Sequence, residues 1–147
     1  MATVARRMRC EPKDVLDVLA DGWSYAAWVV GTARIRQVDD AWPAPGSRIA
    51  HSAGLWPALI NDTTSVVAWD PEGRLELRAR GWPAGEAHIV LEVVPQAGGG
   101  TLVRMEEDAV RGAATLIPRP LRDAALVPRN TETLRRLAYI AEDRSTR

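Results

Sequence analysis

Residues Arg74–Gly112, RLELRARGWPAGEAHIVLEVVPQAGGGTLVRMEEDAVRG, decide the fold. Leu75, Leu77, Ala79 and Gly81 alternate with Glu76, Arg78 and Arg80, and after a Gly- and Pro-bearing turn Ala87, Ile89, Leu91 and Val93 alternate with Glu86, His88 and Glu92. Past QAGGG, Val103, Met105, Glu107 and Ala109 share one side of a last segment, Thr101 to Ala109. A period of two places one set of side chains on a core and the other in water, which is the pattern of half-buried antiparallel strands. The stretch therefore predicts successive hairpins with an apolar inner face and a charged outer one.

Working outward, DPEG at Asp70–Gly73 carries proline where a tight turn needs its φ preset, so Trp69 and Leu75 are expected on neighbouring strands. Trp69 itself reads as a corner-packing residue. Leu59 to Trp69 forms the strand before that turn, Ile49, His51 and Ala53 alternate with Arg48, Ala50 and Ser52 in the one before it, and WPAPGS is a turn. Ahead of it, Ala33, Ile35 and Gln37 alternate with Arg34 and Arg36 as a further strand. Pro12 stands where a first helical turn tolerates proline, and Val15, Leu16, Val18 and Leu19 continue a short helix to Asp21-Gly22. WSYAAWVVG reads as a second short helix stopped by Gly31, and Thr3 to Cys10 as an edge strand.

Downstream of Gly112 the period becomes helical. Val127, Asn130, Leu134, Leu137 and Ala141 form one stripe of an amphipathic helix. Leu121 to Val127 also looks helical, so Pro128 is expected to mark a kink or a restart, since an interior proline removes a hydrogen bond and clashes with the preceding turn. The inner face of the sheet needs a cover, and this helix has the matching stripe. A bent sheet wrapped around it satisfies both.

Composition narrows the function classes. A chain of 147 residues with 46% hydrophobic content suits a single domain over residues 1–147. Nineteen basic residues balance nineteen acidic ones, which argues against nucleic acid and anionic membranes as partners. Cys10 is the only cysteine, so no internal disulfide or thiolate zinc site is expected, and a reducing cytoplasm fits best. The N-terminus lacks a signal-peptide core, and no segment approaches the roughly 20 apolar residues of a membrane span.

Taken together, WSYAAWVVG, WPAPGSRIAHSAGLWP, the Arg74–Gly112 stretch and RNTETLRRLA resemble the START-like, or SRPBCC, superfamily, and within it the polyketide cyclase/dehydrase-like proteins. The resemblance spans nearly the whole chain. It implies an α+β helix-grip (START/Bet v 1-like) fold: a curved antiparallel sheet of about seven strands around a long C-terminal helix, with two short helices after the first strand. It also implies a deep cavity between sheet and helix, used across the superfamily for lipids, sterols, polyketides and plant hormones. The superfamily includes enzymes and binders, so fold alone does not choose between them.

Polar residues that break the apolar parity are the candidates for chemistry in such a cavity. His51 is in register with Ile49 and Ala53; its imidazole suits a general base or a ligand anchor, or a hydrogen-bonded structural role. Glu107 shares parity with Val103 and Met105, where a desolvated carboxylate suits proton transfer and an ordinary salt bridge to Arg129 is the simpler reading. Asn130 interrupts the helical stripe, either to meet a ligand or to satisfy backbone groups of the opposite strand. Trp23, Trp28, Trp56 and Trp82 fall near element ends where a mouth would be, and serve either as stacking surfaces or as core. Met105 completes the predicted lining.

Other chemistries fit poorly. His51 and His88 face opposite ways and no acid pair completes a metal spacing, so neither metal nor cofactor is expected. AGGGT joins two strands and lacks the helix and lysine of a phosphate loop, and Ser52 and Ser65 lie in strands rather than at a nucleophile elbow. Arg34, Arg36, Arg78 and Arg80 mix with Glu76, Glu86 and Glu92 on an ordinary solvated face. Two functions stand: a binder of a hydrophobic or polyaromatic small molecule, and a polyketide cyclase or dehydratase in which His51 or Glu107 moves a proton. A protein–protein role is the third, and the Thr3–Cys10 edge leaves a homodimer open.

Overall fold

The computed structural model describes residues 1–53, 60–81 and 85–146. In chain order these form β1 (Ala2–Met8), α1 (Pro12–Ala20), a 3-10 turn (Gly22–Ser24), α2 (Tyr25–Trp28), β2 (Thr32–Val38), β3 (Arg48–Ala53), β4 (Ile60–Asp70), β5 (Arg74–Gly81), β6 (Gly85–Pro95) and β7 (Thr101–Arg111). A second 3-10 turn (Ala113–Leu116) leads into α3 (Arg119–Ser145). The seven strands make one antiparallel sheet in the order β1-β7-β6-β5-β4-β3-β2. Among the described residues only the β1–β7 pairing joins strands distant in sequence, and α1 and α2 carry the chain from one edge of the sheet to the other.

The strand parity from sequence holds on β5, β6 and β7. Leu75, Leu77, Ile89, Leu91, Val93, Val103 and Met105 are buried in the core, and the outer face carries ion pairs such as Arg74 with Glu76 and Glu92. Trp69 pairs with Leu75 across the DPEG turn, where the amide of Glu72 donates to Asp70 Oδ1 at 2.9 Å. Trp69 is half-buried against the core.

β2 departs from its expected alternation. Thr32, Ile35 and Val38 are half-buried while Ala33 and Gln37 are exposed, because the β2–β3 register shifts between Thr32 and Arg34 and again between Ile35 and Gln37. Each bulge inserts a residue on one strand and turns the following side chains to the other face. A repeat of three results where two was expected.

Gly85 opens β6 at a place no side chain fits. A Cβ there would lie 1.9 Å from the carbonyl oxygen of Arg111, and the residue has φ +112°. Glycine alone lets the first residues of β6 close against the end of β7 beside the register shift at Glu86.

α3 is one helix of 27 residues with Pro128 inside it, not a helix that starts at Pro128. Its buried side chains are Asn130, Thr133, Leu134, Leu137, Ala138 and Ala141. Val127, expected on the stripe, is 39% exposed, so the buried face begins after the proline. The helix packs on β1, α1 and α2, with lighter contact to β7. Val15, Val18 and Leu19 of α1 close the core from the same side. Helix and sheet therefore meet tightly near β1 and diverge toward the opposite end.

Candidate functional site

The divergence leaves a cavity of about 300 Å³. Its floor is the inner face of β5, β6 and β7, through Ala79, Ala87, Ile89 and Met105, and its roof is α3, through Leu126, Arg129, Asn130 and Thr133. One side is made by Tyr25 and by Val29, Val30, Gly31 and Thr32 between α2 and β2; His51 and Thr64 of β3 and β4 stand at the back. Arg80, Gly85, Glu86 and Ala114 complete the lining.

Besides Arg80 and Glu86, two polar clusters interrupt the apolar wall. In the first, Arg129 Nη2 donates to Glu107 Oε1 at 2.5 Å and Asn130 Nδ2 donates to the same oxygen at 3.1 Å, while Arg129 Nε reaches Asn130 Oδ1 at 3.4 Å. The Glu107 side chain is 6% exposed and that of Arg129 is 41% exposed, so the carboxylate belongs to the interior and the guanidinium to its rim. Asn130 lines the cavity, and its amide donates to the side chain of Glu107 on the facing strand rather than to backbone groups there.

In the second, His51 Nε2 and Thr64 Oγ1 lie 2.9 Å apart, and Thr64 Oγ1 is 3.4 Å from the Tyr25 hydroxyl. Thr64 sits diagonally from His51, since Ile49 is its partner across β3 and β4. The Tyr25 and His51 rings face one another at 6.0 Å between centroids. Burial lowers the His51 pKa below 6.5, favouring neutral imidazole, and burial likewise raises Tyr25 to about 12, so its phenol keeps its proton. His51 Nδ1 is buried without a hydrogen-bond partner among the described residues. Thr133 Oγ1, deeper in the roof, accepts from the amide of Val30 at 3.2 Å and ties α3 to the loop after α2.

Of the residues expected at the site, His51, Met105, Glu107 and Asn130 line this cavity. Trp23 does not: it is 61% exposed, because it stands on the first 3-10 turn, ahead of α2 and not within the short helix expected to hold it. Trp28 is buried behind Tyr25, edge-on at 5.3 Å between centroids, and supports the wall without lining it. Trp56 and Trp82 lie outside the described residues.

Tyr25, Thr64 and Thr133 are lining residues beyond those expected from sequence, and Arg129, expected only as a salt-bridge partner, lines the cavity as well. Signals for them exist. Tyr25 is three positions before Trp28 on the same short helix, Thr64 shares the inward parity of Val66, and Thr133 adjoins the apolar stripe three residues after Asn130. Among the described residues no group of His, Cys, Asp and Glu is placed to hold a metal ion, and no helix is long and apolar enough to cross a membrane.

A family model described as polyketide cyclase / dehydrase and lipid transport matches residues 1–142. The chain belongs to this family. Its solved structural neighbours share the helix-grip fold at low sequence identity. A protein from Nitrosomonas europaea superposes with a TM-score of 0.74 at 14% identity, covering 99% of this chain and 96% of that one. The Zhui aromatase/cyclase from Streptomyces sp. R1128 gives 0.72 at 15% identity, covering 97% and 93%. The di-domain aromatase/cyclase StfQ of the steffimycin biosynthetic pathway gives 0.71 at 12% identity, covering 99% of this chain and 51% of that one. No curated protein matches the chain by sequence. At these identities the structural likeness concerns the fold, and the family supports a role in hydrophobic-ligand binding or cyclisation.

Proposed function

We propose that this member of the polyketide cyclase/dehydrase family holds a hydrophobic or polyaromatic small molecule, lipid-like or polyketide-like, between its sheet and α3 without transforming it. The observation that carries the reading is that, inside a mostly apolar cavity, the two candidate titratable groups are each held in place through one atom by neighbouring side chains. Glu107 is fixed by Arg129 and Asn130, and His51 by Thr64. Small-molecule sites combine apolar walls with a few oriented polar groups, and about 300 Å³ falls at the compact end of their range. A proton-transfer catalyst instead needs a group held against the reacting atom and poised to titrate.

A second reading is an enzyme of the cyclase or dehydratase type, using His51 or Glu107. What favours it is the neutral His51 joined through Thr64 to the Tyr25 phenol, a path along which a proton can be exchanged. The aromatase/cyclase neighbours lend it support at the level of fold.

Equilibrium titration with 1,8-dihydroxyanthraquinone tests the binding reading. One molecule per chain is expected, with binding lost in Ala87→Trp, which fills the floor; a folded Ala87→Trp protein that binds as well as the parent would refute it. Native mass spectrometry of protein purified from its own host then identifies any compound carried along. Turnover of such a compound that is abolished by His51→Ala, with its binding retained, would establish the enzyme instead.

A further inference from the structure

Given a ligand cavity as proposed above, the distribution of charge in its wall restricts what the ligand can be. Both donors to Glu107 converge on Oε1. Oε2 receives no hydrogen bond among the described residues, although the side chain is 6% exposed and lines the cavity. An oxygen that is not sealed off and has no protein donor is open to a donor supplied by a ligand, and a hydrogen bond to an ionised acceptor is stronger than a neutral one.

Arg129 does not offer the complementary cation to a molecule inside. Its guanidinium is already engaged by Glu107 and lies at the solvated rim. Arg80, the other cation of the lining, lies 3.8 Å from Asp62 and 4.0 Å from Glu86 and is largely exposed. The second polar cluster contributes a phenol, a hydroxyl and an imidazole, none of which supplies a fixed positive charge. A carboxylate placed in the interior would therefore meet the open side of another carboxylate, with no unengaged cation among the described lining residues to offset it.

We propose that the ligand is a neutral hydroxyl donor on a flat apolar body, a phenol or an enol, whose O–H donates to Oε2 of Glu107, and that Glu107 thereby excludes carboxylate ligands of the same shape. Glu107 acts here as a specificity determinant and transfers no proton.

The test compares three probes on one ring system: 2-naphthol, 2-naphthoate and 2-methylnaphthalene, titrated against the full chain near neutral pH. For the wild-type protein 2-naphthol is expected to bind about tenfold or more tighter than 2-naphthoate, and several-fold tighter than 2-methylnaphthalene, the scale of one charge-assisted hydrogen bond. In Glu107→Gln the preference for 2-naphthol over 2-naphthoate falls toward parity while 2-methylnaphthalene binding is retained, which also shows that the cavity is intact. Should Glu107→Gln fail to fold, the wild-type ratio still decides. Equal or tighter binding of 2-naphthoate overturns the proposal and leaves the cavity reading standing. Failure of all three probes to bind removes the cavity reading and this proposal with it.

Discussion

Arg129 of α3 reaches Glu107 of β7 at 2.5 Å, and Asn130, the next residue on the helix, donates to the same carboxylate oxygen. This contact spans the place where helix and sheet separate, so it braces the cavity it lines. Removing Arg129 leaves a buried carboxylate with one donor. Breaking a fully buried pair from one side costs about 3–5 kcal/mol, but the exposure of Arg129 screens this one. Arg129→Ala is therefore expected to lower stability by about 1–2 kcal/mol in urea unfolding, with Arg129→Lys recovering part of the loss. Full stability in Arg129→Ala would mean that the pair is not a brace.

His51 links stability to pH. Its folded pKa lies below its unfolded value of about 6.5, because burial disfavours the imidazolium. As pH falls below that value the unfolded chain takes up a proton before the folded one does, so the stabilisation present above about 6.5 is lost on acidification. The urea midpoint should decline between about pH 7.5 and about pH 5.5, and His51→Gln should flatten the decline. An identical slope in the variant would exclude His51 as its source.

Leu137 and Leu121 contrast the two ends of α3. Leu137 is fully buried and Leu121 is 62% exposed. Leu137→Ala is expected to cost about 2–5 kcal/mol through the cavity it creates, and Leu121→Ala less than about 0.5 kcal/mol. Thermal denaturation distinguishes them; equal effects would contradict the grip of the sheet on the second half of the helix.

Gly85→Ala places a Cβ against the Arg111 carbonyl in a backbone conformation that side chains rarely adopt. A loss of about 1–3 kcal/mol follows if the strand start is held as described. Hydrogen exchange should then report loosened amides at the β6–β7 end beside the cavity. A stability unchanged from wild type would show that this end can shift freely.

Much of this architecture is written in local order. The alternation of Leu75 and Leu77 with Glu76 and Arg78, and the spacing of Leu134, Leu137 and Ala141, follow from the pleat of a strand and the turn of a helix, periods that each segment carries by itself. His51, Met105, Glu107 and Asn130 were legible as inward residues for the same reason. Parity failed where the backbone slipped: two bulges in β2 reversed Ala33 and Gln37, and an accommodated Pro128 left Val127 outside the buried stripe.

The assembled chain alone decided which inward groups meet. Glu107 lies 22 positions from Arg129, and Tyr25 lies 39 from Thr64, separations at which no local period fixes a contact. Trp23 and Trp28 have the same ring chemistry, yet a tight turn sends one to solvent while Tyr25 screens the other. Sequence patterning determined which faces are apolar, because burial of those faces drives each element to its place. Partnership at the cavity was settled only when sheet curvature and helix placement brought distant side chains within a few ångströms, since hydrogen bonds and ion pairs depend on distances that faces do not specify.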